Sequence, residues 1–80
     1  MKLPRNLTGQ ELIFKLKLLG YERTRQSGSH IRLTTKQNGE HHITVPNHDP
    51  LRIGTLSSII SLVAEHFNIS REEVLKKLFE

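Results

Sequence analysis

The chain has no cysteine and no tryptophan, and its only aromatic residues are Phe14, Tyr21, Phe67 and Phe79. The lack of cysteine excludes disulfides, thiolate metal sites and a cysteine nucleophile. No apolar run approaches the ~20 residues that a membrane span needs. The opening Met1-Lys2-Leu3-Pro4-Arg5 lacks the apolar stretch of a secretory signal. A cytoplasmic location without membrane attachment is therefore the expectation. Apolar residues make up 35% of the chain, below the usual globular share. A chain of this length buries only about 60% of the surface its unfolded form exposes. Residues 1–80 are accordingly expected to form one domain, a layer of helices on a sheet, with any active site on an open surface.

Catalytic signatures are equally sparse. There is no HExxH, no carboxylate cluster, no nucleophile elbow around any serine, and no glycine-rich phosphate loop. His41 and His42 are neighbours on an expected strand and so point to opposite faces. His48 falls in a loop and His66 near a helix end. No metal site and no small-molecule cofactor are expected. Twelve Lys and Arg against eight Asp and Glu leave a net charge of +4, which favours an anionic partner such as nucleic acid or an acidic protein surface.

The elements that are present read clearly. Thr8-Gly9-Gln10-Glu11 has the form of a capping box, followed by Leu12, Ile13, Leu16 and Leu19 at helical spacing. Gly20 suits the left-handed position that ends a helix. Phe14 and Leu18 lie on the opposite side of this helix and are expected to make a second packing contact, with the C-terminal helix as the partner. Three strands follow, over Tyr21–Gln26, Ser29–Thr35 and Glu40–Val45. Ser27-Gly28 and Asn38-Gly39 mark the two turns.

Strands two and three alternate. Ile31, Leu33, Ile43 and Val45 form one face, and His30, Arg32, Thr34, His42 and Thr44 the other. Strand one lacks clean alternation, so the faces of Arg23 and Arg25 stay open. Pro46 closes the third strand. Thr55 is expected to cap a second helix containing Leu56, Ile59, Ile60, Val63 and Phe67, with Asn68 at its end. Ser70-Arg71-Glu72-Glu73 is read as a second capping box, before a short helix with Val74, Leu75 and Leu78 apolar.

The fold class is thus α+β, in the order α-β-β-β-α plus a C-terminal helix, with a three-stranded antiparallel sheet covered on one face. Imidazole and guanidinium groups on the open face suit a polyanion. In RNA the 2′-OH is a built-in nucleophile, so proton transfer and charge stabilisation suffice for cleavage. On spacing alone, however, His30 is an ordinary strand histidine.

Four features in order change that reading: Leu18-Leu19-Gly20-Tyr21 closing the first helix, Arg25-Gln26-Ser27-Gly28-Ser29-His30, Val45-Pro46-Asn47-His48, and Gly54-Thr55-Leu56 entering the second helix. Together they resemble the HicA family of bacterial toxins from about Thr8 to Phe67. The resemblance implies a fold like that of double-stranded-RNA-binding domains, endoribonuclease (mRNA interferase) activity, and a HicB-type antitoxin as protein partner. It also places the catalytic histidine of the Gly-Ser-His segment at His30. Gly28 supplies the turn, and Arg23, Arg25, Ser29, Arg32 and His42 are the candidate RNA-binding residues. His42 and His48 are both candidates for a second proton-transfer group. A noncatalytic module binding double-stranded RNA is the alternative, and a purely protein-binding domain the third reading.

Overall fold

The structure, a computed structural model, describes residues 2–80. Its elements are α1 (Gly9–Leu16), continued by a 3-10 turn (Lys17–Leu19), β1 (Glu22–Ser27), β2 (His30–Thr35), β3 (His41–Pro46), α2 (Ile53–Phe67) and α3 (Arg71–Phe79). This is the α+β order expected from the sequence. The strands form one antiparallel sheet in the order β1-β2-β3.

Both halves of the α1 capping box are made. The Thr8 hydroxyl accepts from the Glu11 N–H at 3.0 Å, and the Thr8 N–H donates to Glu11 Oε1 at 2.9 Å. The Thr8 N–H bond stabilises the carboxylate, and the Glu11 carboxyl is held below its usual value by that backbone bond first and the Thr8 hydroxyl second. Gly20 ends the 3-10 turn at φ 83°. A side chain there would also collide with those of Gln37 and Thr35.

Leu12, Ile13, Leu16 and Leu19 enter the core with Ile31, Leu33, Ile43 and Val45 of the sheet. Phe14 and Leu18, in contrast, are 69% and 64% exposed, which corrects the expected packing against the C-terminal helix. Val74, Leu75 and Leu78 of α3 join the core that the inner stripe of α1 enters. Among the described residues, no element is left to cover the outer side of α1. The Lys17 ammonium instead lies 5.9 Å from the centre of the Phe14 ring.

The β1–β2 turn consists of Gly28 and Ser29, with Gly28 at φ 58°. Positive φ at the first loop position is the pattern of a type II′ turn, whose twist matches that of the flanking strands. Asn38 and Gly39 both have positive φ in the β2–β3 loop. That loop is tied to the end of α2, because Asn38 Nδ2 donates to the His66 carbonyl at 2.9 Å and His66 Nε2 to the Gln37 carbonyl at 2.9 Å. The buried Thr35 hydroxyl donates to the Leu19 carbonyl and accepts from the Gln37 N–H.

α2 starts earlier than expected. Arg52 is its N-cap residue without a side-chain cap, and Thr55 lies within the first turn. The cause is Leu51, which is buried and donates its N–H to the Leu7 carbonyl at 2.7 Å. That anchor brings the chain onto the core two residues before Ile53. Asn68 closes the helix in the left-handed region at φ 54°. Ser70 accepts from the Glu73 N–H, but the return bond from the Glu73 side chain is not made, so only half of the second capping box forms. Arg71 joins α3 to α2 through the Ser57 carbonyl, the Ser57 hydroxyl and the Ser61 hydroxyl.

Candidate active site on the open sheet face

The helices cover the side of the sheet that carries Ile31, Leu33, Ile43 and Val45, all buried. Strand alternation therefore leaves His30, Arg32 and Thr34 of β2 on the other side, beside His42 and Thr44 of β3. The register fixes their rows: Thr34 faces His42, Arg32 faces Thr44, and His30 faces Pro46. These five residues share one surface, as the alternation predicts.

β1 divides the arginines. A bulge between Arg23 and Arg25 shifts the register, so that Arg23 pairs with Leu33 and Arg25 with Arg32. A bulge inserts an unpaired residue and reverses the side on which later residues emerge. Arg25 consequently lies on the open face beside Arg32. Arg23 lies on the helix side, where its guanidinium donates to Gln10 Oε1 at 2.6 Å. Arg23 is thus not brought together with His30, whereas Arg25 and Arg32 are.

Among the described residues the side chains of Arg25, Arg32 and His30 make no hydrogen bond or ion pair with protein. Like charges directly opposite each other across two strands are destabilising, by a few tenths to about 1 kcal/mol. An anion placed between Arg25 and Arg32 removes that repulsion and engages both guanidinium forks. The two arginines, His30, Ser27 and Thr44 line a shallow depression of about 150 Å³. Ser27 was missed from the sequence, although its pairing with His30 follows once the turn is placed at Gly28-Ser29. Ser29 stands in that turn, and its carbonyl accepts from the Asn47 N–H at 2.6 Å.

A second depression of about 260 Å³ lies further along the face, lined by Thr24, Arg25, Arg32, Thr34, Glu40 and His42. Here the imidazole is fully engaged. His42 Nδ1 is 2.7 Å from the Thr34 hydroxyl and Nε2 is 3.0 Å from Glu40 Oε2. Thr34 Oγ1 is in turn 3.0 Å from Thr24 Oγ1. Glu40 and Thr24 were not foreseen, since Thr24 sits in the bulge and Glu40 precedes β3.

His41 points away from this face. Its Nδ1 is 2.8 Å from the Tyr21 hydroxyl, and its ring stacks on His66 with centroids 4.3 Å apart. Burial first, and then the proximity of His66 and His42, hold its pKa below the usual histidine value. Burial also pushes the Tyr21 phenol up to about 12. His48 is exposed in the loop after β3. The described residues contain no group of three or more His, Cys, Asp or Glu able to hold a metal ion. None of their helices is long and apolar enough to cross a membrane.

Residues 9–64 match the family described as the HicA toxin of bacterial toxin–antitoxin systems. The chain belongs to the HicA toxin family. The part matched to HicA runs from the start of α1 to Ala64 in α2 and so contains the whole sheet, with His30, Arg25 and Arg32. α3 lies outside the HicA match, yet it completes the core through Val74, Leu75 and Leu78. No curated protein and no solved structure matches the chain.

Proposed function

We propose that this HicA toxin is a cytoplasmic endoribonuclease that cleaves mRNA on the open sheet face, using His30 for proton transfer and no metal. The observation that carries this reading is an exposed imidazole beside two facing guanidinium groups, Arg25 and Arg32, all three without a protein partner among the described residues. In the proposed reaction a base takes the proton of the ribose 2′-OH, whose oxygen attacks the adjacent phosphorus. The P–O5′ bond breaks and the 5′-oxygen takes up a proton. Arg25 and Arg32 stabilise the charge that gathers on the non-bridging oxygens. Each positioned acid–base group of this kind contributes ~10²–10⁴-fold, and each electrostatic donor can contribute about 10²–10³-fold.

Ser29, Thr44 and the row from Thr24 to His42 border the path on which the strand lies. Arg23 acts indirectly, through its bond to Gln10 of α1. A HicB-type antitoxin neutralises the toxin by covering this face, and the net charge of +4 favours an acidic covering surface. The 80 residues work as one domain, with α3 part of its core.

The test is to incubate mixed-sequence RNA and DNA in EDTA with the wild-type chain and with His30→Ala. Cleavage of RNA alone, lost in the variant, is the expected result. Binding without cleavage would support the noncatalytic reading, and equal cleavage by both proteins would remove His30 from the mechanism.

A further inference from the structure

A single histidine leaves the proposed reaction without its second proton-transfer group, and distances separate the two candidates. Thr34, the register partner of His42, is four residues along β2 from His30. At about 3.3 Å per residue this is about 13 Å. Two imidazoles that serve the attacking and leaving oxygens of one phosphate, each within about 3 Å of its oxygen, must lie less than about 10 Å apart. His42 is too far away, and both of its ring nitrogens are already engaged by Thr34 and Glu40.

His48 satisfies the distance. Pro46 faces His30 across the β2–β3 ladder, and the Asn47 N–H extends that ladder by one bond to the Ser29 carbonyl. His48 follows immediately, two residues, or about 7 Å of extended chain, from the partner of His30. Its backbone is held on both sides, because its carbonyl accepts from the Gly9 N–H at 2.9 Å. The Asn47 side chain accepts from Gln10 of α1 and so lies on the helix side. β3 ends at Pro46, and continuing its alternation through Asn47 assigns His48 to the side of His30. The His48 ring is exposed and makes no hydrogen bond with protein among the described residues.

We infer that His48 is the second catalytic residue and forms an acid–base pair with His30 across the scissile phosphate. This inference rests on the ribonuclease reading. One imidazole accepts the 2′-OH proton as the 2′-oxygen bonds to phosphorus. The other, as imidazolium, gives its proton to the 5′-oxygen as the P–O5′ bond breaks. The products are a 2′,3′-cyclic phosphate and a 5′-hydroxyl, and no other reactant is consumed.

The experiment compares the wild-type chain, His30→Ala and His48→Ala on an ordinary oligoribonucleotide and on one with sulfur replacing the bridging 5′-oxygen. Sulfur leaves as a thiolate and does not need the proton. Both variants are expected to cleave the ordinary substrate ~10²–10⁴-fold more slowly than wild type, with melting temperatures unchanged. The sulfur substrate is expected to restore one variant, the one that lacks the acid, and not the other.

Wild-type rates in His48→Ala, or restoration of neither or both variants, would overturn the pair. If His30→Ala is inactive while His48→Ala is not, the pair fails and the ribonuclease reading stands. If the wild-type chain does not cleave RNA, both fall.

Discussion

Replacing Gly9 with alanine tests how tightly α1 is seated on the end of β3. A Cβ at this position would lie 2.2 Å from the Pro46 carbonyl oxygen and 3.2 Å from Asn47 Cα, both backbone atoms. Cβ contacts below 3.0 Å essentially do not occur, so helix and loop must separate by at least 0.8 Å, the difference between 3.0 and 2.2 Å. Overpacking of this kind costs about 1–3 kcal/mol. Separation also stretches the 2.9 Å bond from the Gly9 N–H to the His48 carbonyl, a type of bond with a net worth of about 1 kcal/mol. Alanine regains up to about 1 kcal/mol in helix propensity, and less at the first helical position.

The net loss is about 2 kcal/mol, which in a domain of this size lowers Tm by about 8–16 °C. The assay is thermal unfolding followed by circular dichroism, with Gly54→Ala as the control. A Cβ at Gly54 meets nothing within 4 Å, so that variant should melt at or slightly above the wild-type temperature. If Gly9→Ala melted within about 2 °C of wild type, the close seating of α1 on Pro46 and Asn47 would be refuted.

Thr35→Val keeps the shape of a buried side chain but removes its bonds to Leu19 and Gln37; denaturant unfolding should show a loss of about 1–3 kcal/mol. The fold disfavours protonated His41, so the unfolded chain takes up a proton there first; stability is complete above pH 6.5 and declines as pH falls below it. His66, His42, Glu65 and Tyr21 surround this ring, and the two carboxyls held low, Glu11 and Glu72, act only below their ordinary 4.5. Unfolding of His41→Gln should therefore show a flatter stability profile between pH 7 and pH 5 than wild type. Arg25→Gln and Arg32→Gln each relieve the charge repulsion on the open face, so neither should lower Tm. Each should also make RNA binding less sensitive to salt, the slope measured by fluorescence anisotropy falling by about 0.7 for every phosphate that the missing guanidinium had neutralised.

Where a local rule determines the outcome, the fold is legible in the sequence. Thr8 with Glu11, Gly20 and Asn68 mark helix ends through cap chemistry that needs no distant residue. The period of two in β2 and β3 sorted His30, Arg32, Thr34, His42 and Thr44 onto one face. Tertiary contacts decided the rest. The buried Leu51 starts α2 ahead of Thr55, and the position of α3 leaves Phe14 and Leu18 uncovered. In β1, the bulge at Thr24 sends Arg23 and Arg25 to opposite sides, which composition and periodicity do not encode. The site was legible in part for the same reason. His30 stood out only through the Gly28-Ser29-His30 resemblance, and the facing of Arg25 and Arg32 is a matter of register. The engagement of His42 by Glu40 and Thr34 likewise appears only in three dimensions.

The proposed metal-independent cleavage by His30 is tested most directly with an oligodeoxynucleotide that carries a single ribonucleotide, incubated in EDTA with the wild-type chain or His30→Ala. The expected result is one cut, immediately 3′ of the ribonucleotide, leaving a 2′,3′-cyclic phosphate and a 5′-hydroxyl, with the cut absent in His30→Ala. Cleavage of the all-DNA control, or an undiminished cut by His30→Ala, would contradict it.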